Sequence, residues 1–553
     1  MNKFKIKKAS IFILSVLVIS YLGLAYSGDD DIYEKINRNM NLFGQVYKEI
    51  ALNYVDEIDA DKFMTAGIEG MLSTLDPYTN FIDENSRDQI DLITSGKYGG
   101  IGITVTYRDS VIIITEIMNG YEAQKKGIRV GDKIIEIDGN SLSSRKAETM
   151  KGLVRGPVGT EVKLKIDRDG EIIDFNLIRQ EIILKNVSYY GFLEPKDKGI
   201  AYIRLDRFTN ISESEIENAI NKLKSAGEIK GLVLDLRDNG GGLLDAATGI
   251  LNKLVSKNSL LVITKGKRSD SEKKYFSKED PMISTEIPVA VLINEKTASA
   301  SEIVSGAIQD LDRGIVVGTK SFGKGLVQQI KDLDKKAQIK ITSSRYYTPS
   351  GRWIQEKNYF KENKYGVFVD KTKYDQTDFK TLNGRIVKAY GGIEPDVEVK
   401  VKPESEIYTG LISKDMFFKF ARHYVESNPG VKTVKPDNEI FDEFILFVKS
   451  NNFTYDSRIE KKIKEIEELA LEKNYNSGIA GSLKKIEEDI EAHEMSEIEN
   501  SKEEITRAIV NEINKMIINE SEQIEATFPY DIQLQKAVQL LEDRSEYNRI
   551  LGR

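Results

Sequence analysis

The stretch "IPVAVLINEKTASASEIVSGAIQDL", Ile287 to Leu311, carries the reading of the fold. Its opening, "IPVAVLIN", is an apolar run that reads as a buried strand. Its close, "EIVSGAIQDL", reads as a helix, and the small residues between them include Ser299 and Ser301. A serine at such a strand-to-helix junction can serve as a nucleophile if a neighbour takes its proton.

The pattern continues on both sides of this stretch. "GIAYIRLDRF" and "IKGLVLDLRD" read as strands, "SESEIENAINKLKSAG" and "LLDAATGILNKLV" as helices. Alternation of this kind implies an α/β domain with a mostly parallel sheet. Upstream, residues 31–90 have helical periodicity and end at "LSTLDPYTNFID", where Asp76-Pro77 turns the chain. From about Gly96, short strands and glycine turns take over in "YGGIGITVTYRDSVIIITEI" and "KGIRVGDKIIEIDGNSL". "AETMKGLVRG" reads as a helix there, and "EVKLKIDRDGEIIDFNLI" as a hairpin around Asp169-Gly170. Beyond about Lys402 the helices are amphipathic. Ile459, Ile463, Ile466 and Ala470 share one face, as do Ile505, Ile509, Ile513 and Met516. These read as a helical packing or assembly domain.

Composition narrows the function. The chain has 553 residues, 40% of them hydrophobic and 30% charged, too long for one core. A net charge of −8 disfavours a nucleic-acid partner. With no cysteine, disulfides, thiol catalysis, thiolate metal sites and an acylated anchor are excluded. Lys3, Lys5, Lys7 and Lys8 precede an apolar run, Ile11–Ala25, and Asp29–Asp31 follow. That order is a secretory signal, with Ala25 and Ser27 suited to a cut, or a membrane tether. The expectation is an exported protein, periplasmic or otherwise extracytoplasmic.

The two histidines, His423 and His493, lie in the charged helical tail, which argues against a Ser-His-Asp triad or a histidine-bound metal. No metal or cofactor is expected. A base for serine must then be a lysine with a depressed pKa, since an ordinary lysine is almost wholly charged at neutral pH. Lys324, between Gly323 and Gly325 in "GIVVGTKSFGKGLVQQI", is the conspicuous candidate, with Phe322, Leu326 and Val327 as candidate desolvating neighbours. "DLRDNGGGLLDA" adds Gly240–Gly242 between a strand and a helix, where backbone N–H groups can hold an oxyanion. A phosphate loop would look similar, but no Walker sequence is present.

Taken together, "TASASEI", "SFGKGLVQQ", "DLRDNGGGLL", "YYTPSGRWIQ", "GGIEPDVEV" and "LDPYTNFI" resemble the carboxy-terminal processing peptidases, the tail-specific serine proteases, over about residues 40–400. The resemblance implies a crotonase-like (ClpP-like) α/β protease core with an inserted PDZ domain. It also selects Ser299 over Ser301 as nucleophile and assigns Lys324 as general base. Gln328, one helical turn further on, matches the residue that positions the lysine, and Glu302 a polar residue of the site. The oxyanion donors would be the backbone N–H groups of Ala300 and Gly241. Ser301 has the ordinary reading of a helix N-cap, and Glu302 that of an acid in the first helical turn.

"YGGIGI", Tyr98, Gly99, Gly100, Ile101, Gly102 and Ile103, is similar to the PDZ loop and strand that receive a C-terminal carboxylate. Arg155 matches an arginine that couples tail binding to activation in some members, and reads equally as a solvated turn residue. The implied organisation is a signal or anchor at 1–27, N-terminal helices at 28–90, PDZ at 91–178, protease core at 179–402 and a helical domain at 403–553. The implied function is a Ser-Lys endopeptidase acting on exported proteins with exposed C-terminal tails. An adaptor and a homo-oligomer enter as possible partners. A non-catalytic scaffold and a crotonase-like acyl-CoA enzyme are the rival readings.

Overall fold

In a computed structural model the described residues are 32–83, 92–108, 111–141, 153–334, 337–356, 378–402, 404–455, 457–472, 482–483, 485–486 and 497–553. The N-terminal signal, His493 and most of the helix read in "AETMKGLVRG" lie outside them. Among the described residues no helix is long and apolar enough to cross a membrane.

The central sheet runs, in spatial order, Val187–Phe192, Ile200–Leu205, Gly231–Asp235, Val289–Ile293, Ile315–Gly318 and Val397–Glu398. Only the first pair is antiparallel. Its strands are apolar at consecutive positions because both faces are covered. Ile203, Leu232, Leu234, Val291, Ile293 and Val316 point to one side, where Ser212–Ala226, Leu244–Asn252 and Ala300–Asp310 pack. Tyr202, Val233, Ala290, Leu292, Ile315 and Val317 point to the other.

That second face is covered by the end of the chain. Leu534, Ala537, Leu540, Leu541, Tyr547 and Leu551, from Ile532–Glu542 and the following turn of helix, bury themselves against it. Each large side chain contributes about 1.5–3 kcal/mol. The Tyr547 hydroxyl accepts from Val289 N–H at 2.9 Å and donates to Val289 O at 3.1 Å. The Arg237 guanidinium joins Asp235 to Asp531. The segment after about 528 thus packs on the sheet of the α/β core. The helical module proper is the cluster built on Phe417, Phe420, Phe441, Phe444, Ile505 and Ile509. In the helix Arg458–Glu472, among the described side chains, only Ile463 is buried, at 4% exposure. Ile459 and Ile466 stand out at 57% and 47%, and the Ala470 side chain lies outside the description.

A second sheet carries Asn80–Ile82, Gln338–Tyr347, Leu260–Gly266 and Lys273–Phe276, with Leu326–Asp332 paired to Gln338–Tyr347. The N-terminal region therefore contributes a strand to the core, paired as Asn80↔Lys340 and Ile82↔Gln338.

The strand-rich module is a sheet in the order Ile103–Arg108, Val111–Ile117, Lys133–Ile137, Glu161–Arg168, Glu171–Ile178. Its core is Ile101, Ile114, Ile134, Ile137, Val162 and Leu164. The hairpin turn is two residues, Asp169 at φ 53° and Gly170 at φ 92°, a pair of positive angles that a tight hairpin requires. Lys97–Gly100 pairs with Gln180–Ile183, so this unit extends past 178 into the link with the core.

Candidate active site

Ser299 caps the helix Ala300–Asp310 at the C-terminal end of the strand Val289–Ile293, where open α/β sheets bind ligands. Its backbone is held at φ 57°, ψ −114°, a left-handed position for a residue with a side chain. Such strain persists where surrounding bonds over-determine it. Here they do: Ser299 N–H donates to Glu302 Oε2 at 2.8 Å, and its carbonyl accepts the Tyr346 hydroxyl at 3.1 Å. The helix cap is thus Ser299, not Ser301. Ser301 is fully buried, and its hydroxyl donates to Asn239 O at 2.9 Å.

Glu302 is fully buried and gathers four donors: Ser299 N–H, Ser321 Oγ, Gly323 N–H and Lys324 N–H, at 2.8, 2.6, 2.7 and 2.9 Å. Its Oε2 is shared by the serine and lysine backbones, which therefore lie within two hydrogen-bond lengths of each other. Burial raises the carboxyl's pKa, and these donors oppose that shift.

Lys324 sits in a tight loop. Gly323 is at φ 82°, and a Cβ there would fall 2.6 Å from Glu356 Cβ. A Cβ on Gly325 would fall 2.6 Å from the Trp353 indole nitrogen, which donates to Gly325 O at 2.9 Å. The Lys324 ammonium lies 4.3 Å from the centre of the Tyr78 ring. Burial lowers its pKa to about 8, helped by Lys340 and opposed by Asp76 and Glu302. Phe322 is 44% exposed and does not form the cover expected of it.

Gln328 is not a helical turn beyond the lysine. It lies in the strand Leu326–Asp332, just after a bulge, and its amide donates to Thr342 Oγ1 at 3.2 Å. Thr342 in turn donates to Asp76 Oδ1 at 3.0 Å, which also accepts Tyr78 N–H at 2.9 Å. Asp76 and Tyr78 are thus members of the site that were read from sequence only as a turn and a family mark.

Of the expected oxyanion donors, Ala300 N–H has no hydrogen-bond acceptor among the described residues. Gly241 packs directly on the nucleophile loop, where a Cβ would lie 2.8 Å from both Ser299 Cβ and Ala300 N. Its N–H, however, donates to Asn239 Oδ1 at 2.9 Å. Asn239, fully buried, ties this loop to the serine loop by accepting from Ala298 N–H and Ser301 Oγ. An asparagine opening a glycine run is a turn signal, and it was the available clue.

Comparison with known proteins identifies the family. The description "Peptidase family S41" matches residues 199–367 and "PDZ domain" residues 89–167. "Probable PDZ-protease, C-terminal helical domain" matches 407–541, and "Activating protease CtpB N-terminal domain" 25–86. A carboxy-terminal-processing protease of Bartonella bacilliformis is 35% identical over 63% of this chain and 79% of its own. The chain belongs to the carboxy-terminal processing proteases of family S41. The processing protease CtpA of Bacillus subtilis is 31% identical over 64% of this chain and 76% of its own. A solved photosystem II D1 C-terminal processing protease is 25% identical, covering 65% of this chain and 92% of that one, with a TM-score of 0.36.

The protein is therefore a serine-type endopeptidase with an S41 core, a PDZ domain and a C-terminal helical domain. In the PDZ domain, Tyr98, Gly99 and Gly100 lie in the strand Lys97–Gly100, Ile101 is buried, Gly102 turns at φ 81° and Ile103 begins the edge strand. The Arg155 guanidinium stacks on the Tyr98 ring at 4.4 Å, and the residue is half-buried. Arg179 fixes the preceding backbone by donating to Leu153 O and Val154 O at 2.8 and 3.0 Å.

Proposed function

We propose that this protease cleaves exported proteins with a Ser299–Lys324 dyad after its PDZ domain takes hold of their C-terminal tails. What supports the dyad is geometry: Lys324 is covered by the Tyr78 ring, its backbone shares a carboxylate with that of Ser299, and burial lowers its pKa to about 8. At pH 7.4 roughly a fifth of such a lysine is free amine, against about a thousandth for an unperturbed one.

Neutral Lys324 takes the Oγ proton as Ser299 attacks the scissile carbonyl, and Ala300 N–H stabilises the oxyanion. The lysine returns that proton to the departing amine. A water, deprotonated by Lys324, then attacks the acyl carbon, and the lysine returns that proton to Ser299 Oγ as the acyl–oxygen bond breaks. For tail binding, the support is an edge strand, Ile103–Arg108, beside a glycine turn and two arginines. Export rests on the lysine-flanked apolar run Ile11–Ala25.

The experiment is casein cleavage by the purified enzyme and its Ser299→Ala and Lys324→Ala variants. Both variants are expected to lose activity at least a thousandfold. Retained cleavage by either removes the dyad assignment. Cleavage of a peptide with a free C-terminus against its amidated twin tests tail recognition, with the free acid expected to be preferred.

A further inference from the structure

A groove of about 1540 Å³ runs between the PDZ domain, the core strand Val187–Phe192 and the end of the helix Lys502–Ile517. It exceeds the roughly 300–1,000 Å³ of small-molecule pockets, so it suits a longer occupant. One wall is the edge strand of the PDZ sheet, which pairs on one side only among the described residues. A strand edge presents a row of N–H and C=O groups that an extended peptide can complete. Arg155, Lys185, Arg207, Lys222 and Lys515 line the groove against Glu116, Glu215 and Glu520, an excess of cations that suits it to a terminal carboxylate.

The opposite wall does not belong to the PDZ domain. It is Met516, Ile517 and Ile518, half-buried apolar side chains where the helical domain turns into its next helix. They face a groove whose PDZ side offers Ile103 and Val105. Side chains of an added strand alternate in direction, so a bound tail sends every second residue away from the pocket that reads the others.

Resting on the tail-recognition reading above, we propose that Met516–Ile518 form a second specificity wall. It takes the apolar side chains of the substrate tail that alternate with those held by the PDZ domain. The helical domain then helps to choose substrates, and preferred tails are apolar at consecutive positions, not only at alternate ones. A tail with a charged residue at the positions facing Ile518 is selected against, because its charge would be desolvated without a partner.

The test uses the full-length enzyme carrying Ser299→Ala, so that a bound peptide is not cut. A benzoylphenylalanine photo-crosslinker replaces Ile103, Ile518 or, as control, the exposed Leu446 of the helical domain. The probe is an apolar peptide ending in a free carboxylate, together with its amide. The expected result is labelling by the free acid from positions 103 and 518 and none from 446. In the otherwise native enzyme, Ile518→Ala is expected to raise KM about five-fold for a tail with leucine at the alternate positions. For a tail with alanine there, the rise should stay below about two-fold, with kcat unchanged in both cases. Labelling from 103 without 518 overturns the second wall and leaves tail recognition standing. Equal labelling by acid and amide, or none from 103, removes tail recognition and this proposal with it.

Discussion

Glu302 Oε2 accepts the backbone N–H of Ser299 at 2.8 Å and that of Lys324 at 2.9 Å, so one buried oxygen holds nucleophile loop and base loop together. Its partner Oε1 takes Ser321 Oγ and Gly323 N–H. Glu302 is thus a positioning residue for the backbones of both Ser299 and Lys324. Glu302→Gln replaces one acceptor oxygen with a donor and is expected to lower kcat at least tenfold. Glu302→Ala leaves four donors facing a closed interior. At about 1–3 kcal/mol for each unsatisfied group, it should also lower Tm markedly. Melting curves beside kcat separate the two effects.

The Tyr78 ring covers the Lys324 nitrogen. Tyr78→Ala opens the ammonium to water and should move the acid limb of the pH–rate profile toward the ordinary lysine value, because burial is the largest cause of the depression. Tyr78→Phe keeps the ring and should leave the limb where it is. A loss of activity without a shifted limb would mean that the ring acts only by packing.

Lys324→Arg tests whether charge or proton transfer matters. Arginine retains a cation in the same loop but cannot give up its proton near neutrality. Cleavage is expected to fall to the level of Lys324→Ala, measured as burst acylation with an active-site ester. Appreciable activity in the arginine variant would mean that residue 324 serves as a positive charge.

The end of the chain stabilises the catalytic sheet. Tyr547→Phe removes a hydroxyl that satisfies both Val289 N–H and Val289 O in a buried site. Denaturant unfolding should show a loss of about 1–3 kcal/mol. Truncation after 530 bares Tyr202, Val233, Ala290 and Leu292, and the product is expected in the insoluble fraction.

Much of this was legible in the sequence because local chemistry dictated it. The run Val289–Ile293 is apolar at every position because helices cover both faces, and Asp169-Gly170 could only be a tight turn. What was missed was set by distance along the chain. Amphipathic spacing showed that Ile532–Glu542 has an apolar face, yet not that the face lies on the sheet. Asp76 and Tyr78 reach Lys324 only because Asn80–Ile82 pairs with Gln338–Tyr347, a register no short window reveals. Gln328 sits at the spacing of a helical turn, but every residue of its strand pairs with Gln338–Tyr347, and a bulge just before it resets its direction.

The central claim is that residue 324 gives up its proton near physiological pH. Burial of the amine disfavours the ammonium, so the folded pKa lies below that of an ordinary lysine, and activity must rise with pH. The most direct measurement is NMR titration of the Lys324 Nζ in protein labelled with ¹⁵N at lysine, with Lys324→Arg to assign the signal, alongside kcat/KM over the same range. The account predicts one inflection in both near pH 8, with kcat/KM falling about tenfold per unit below it and level above. A Lys324 signal that stays protonated beyond pH 10 while cleavage proceeds at pH 7 would contradict it.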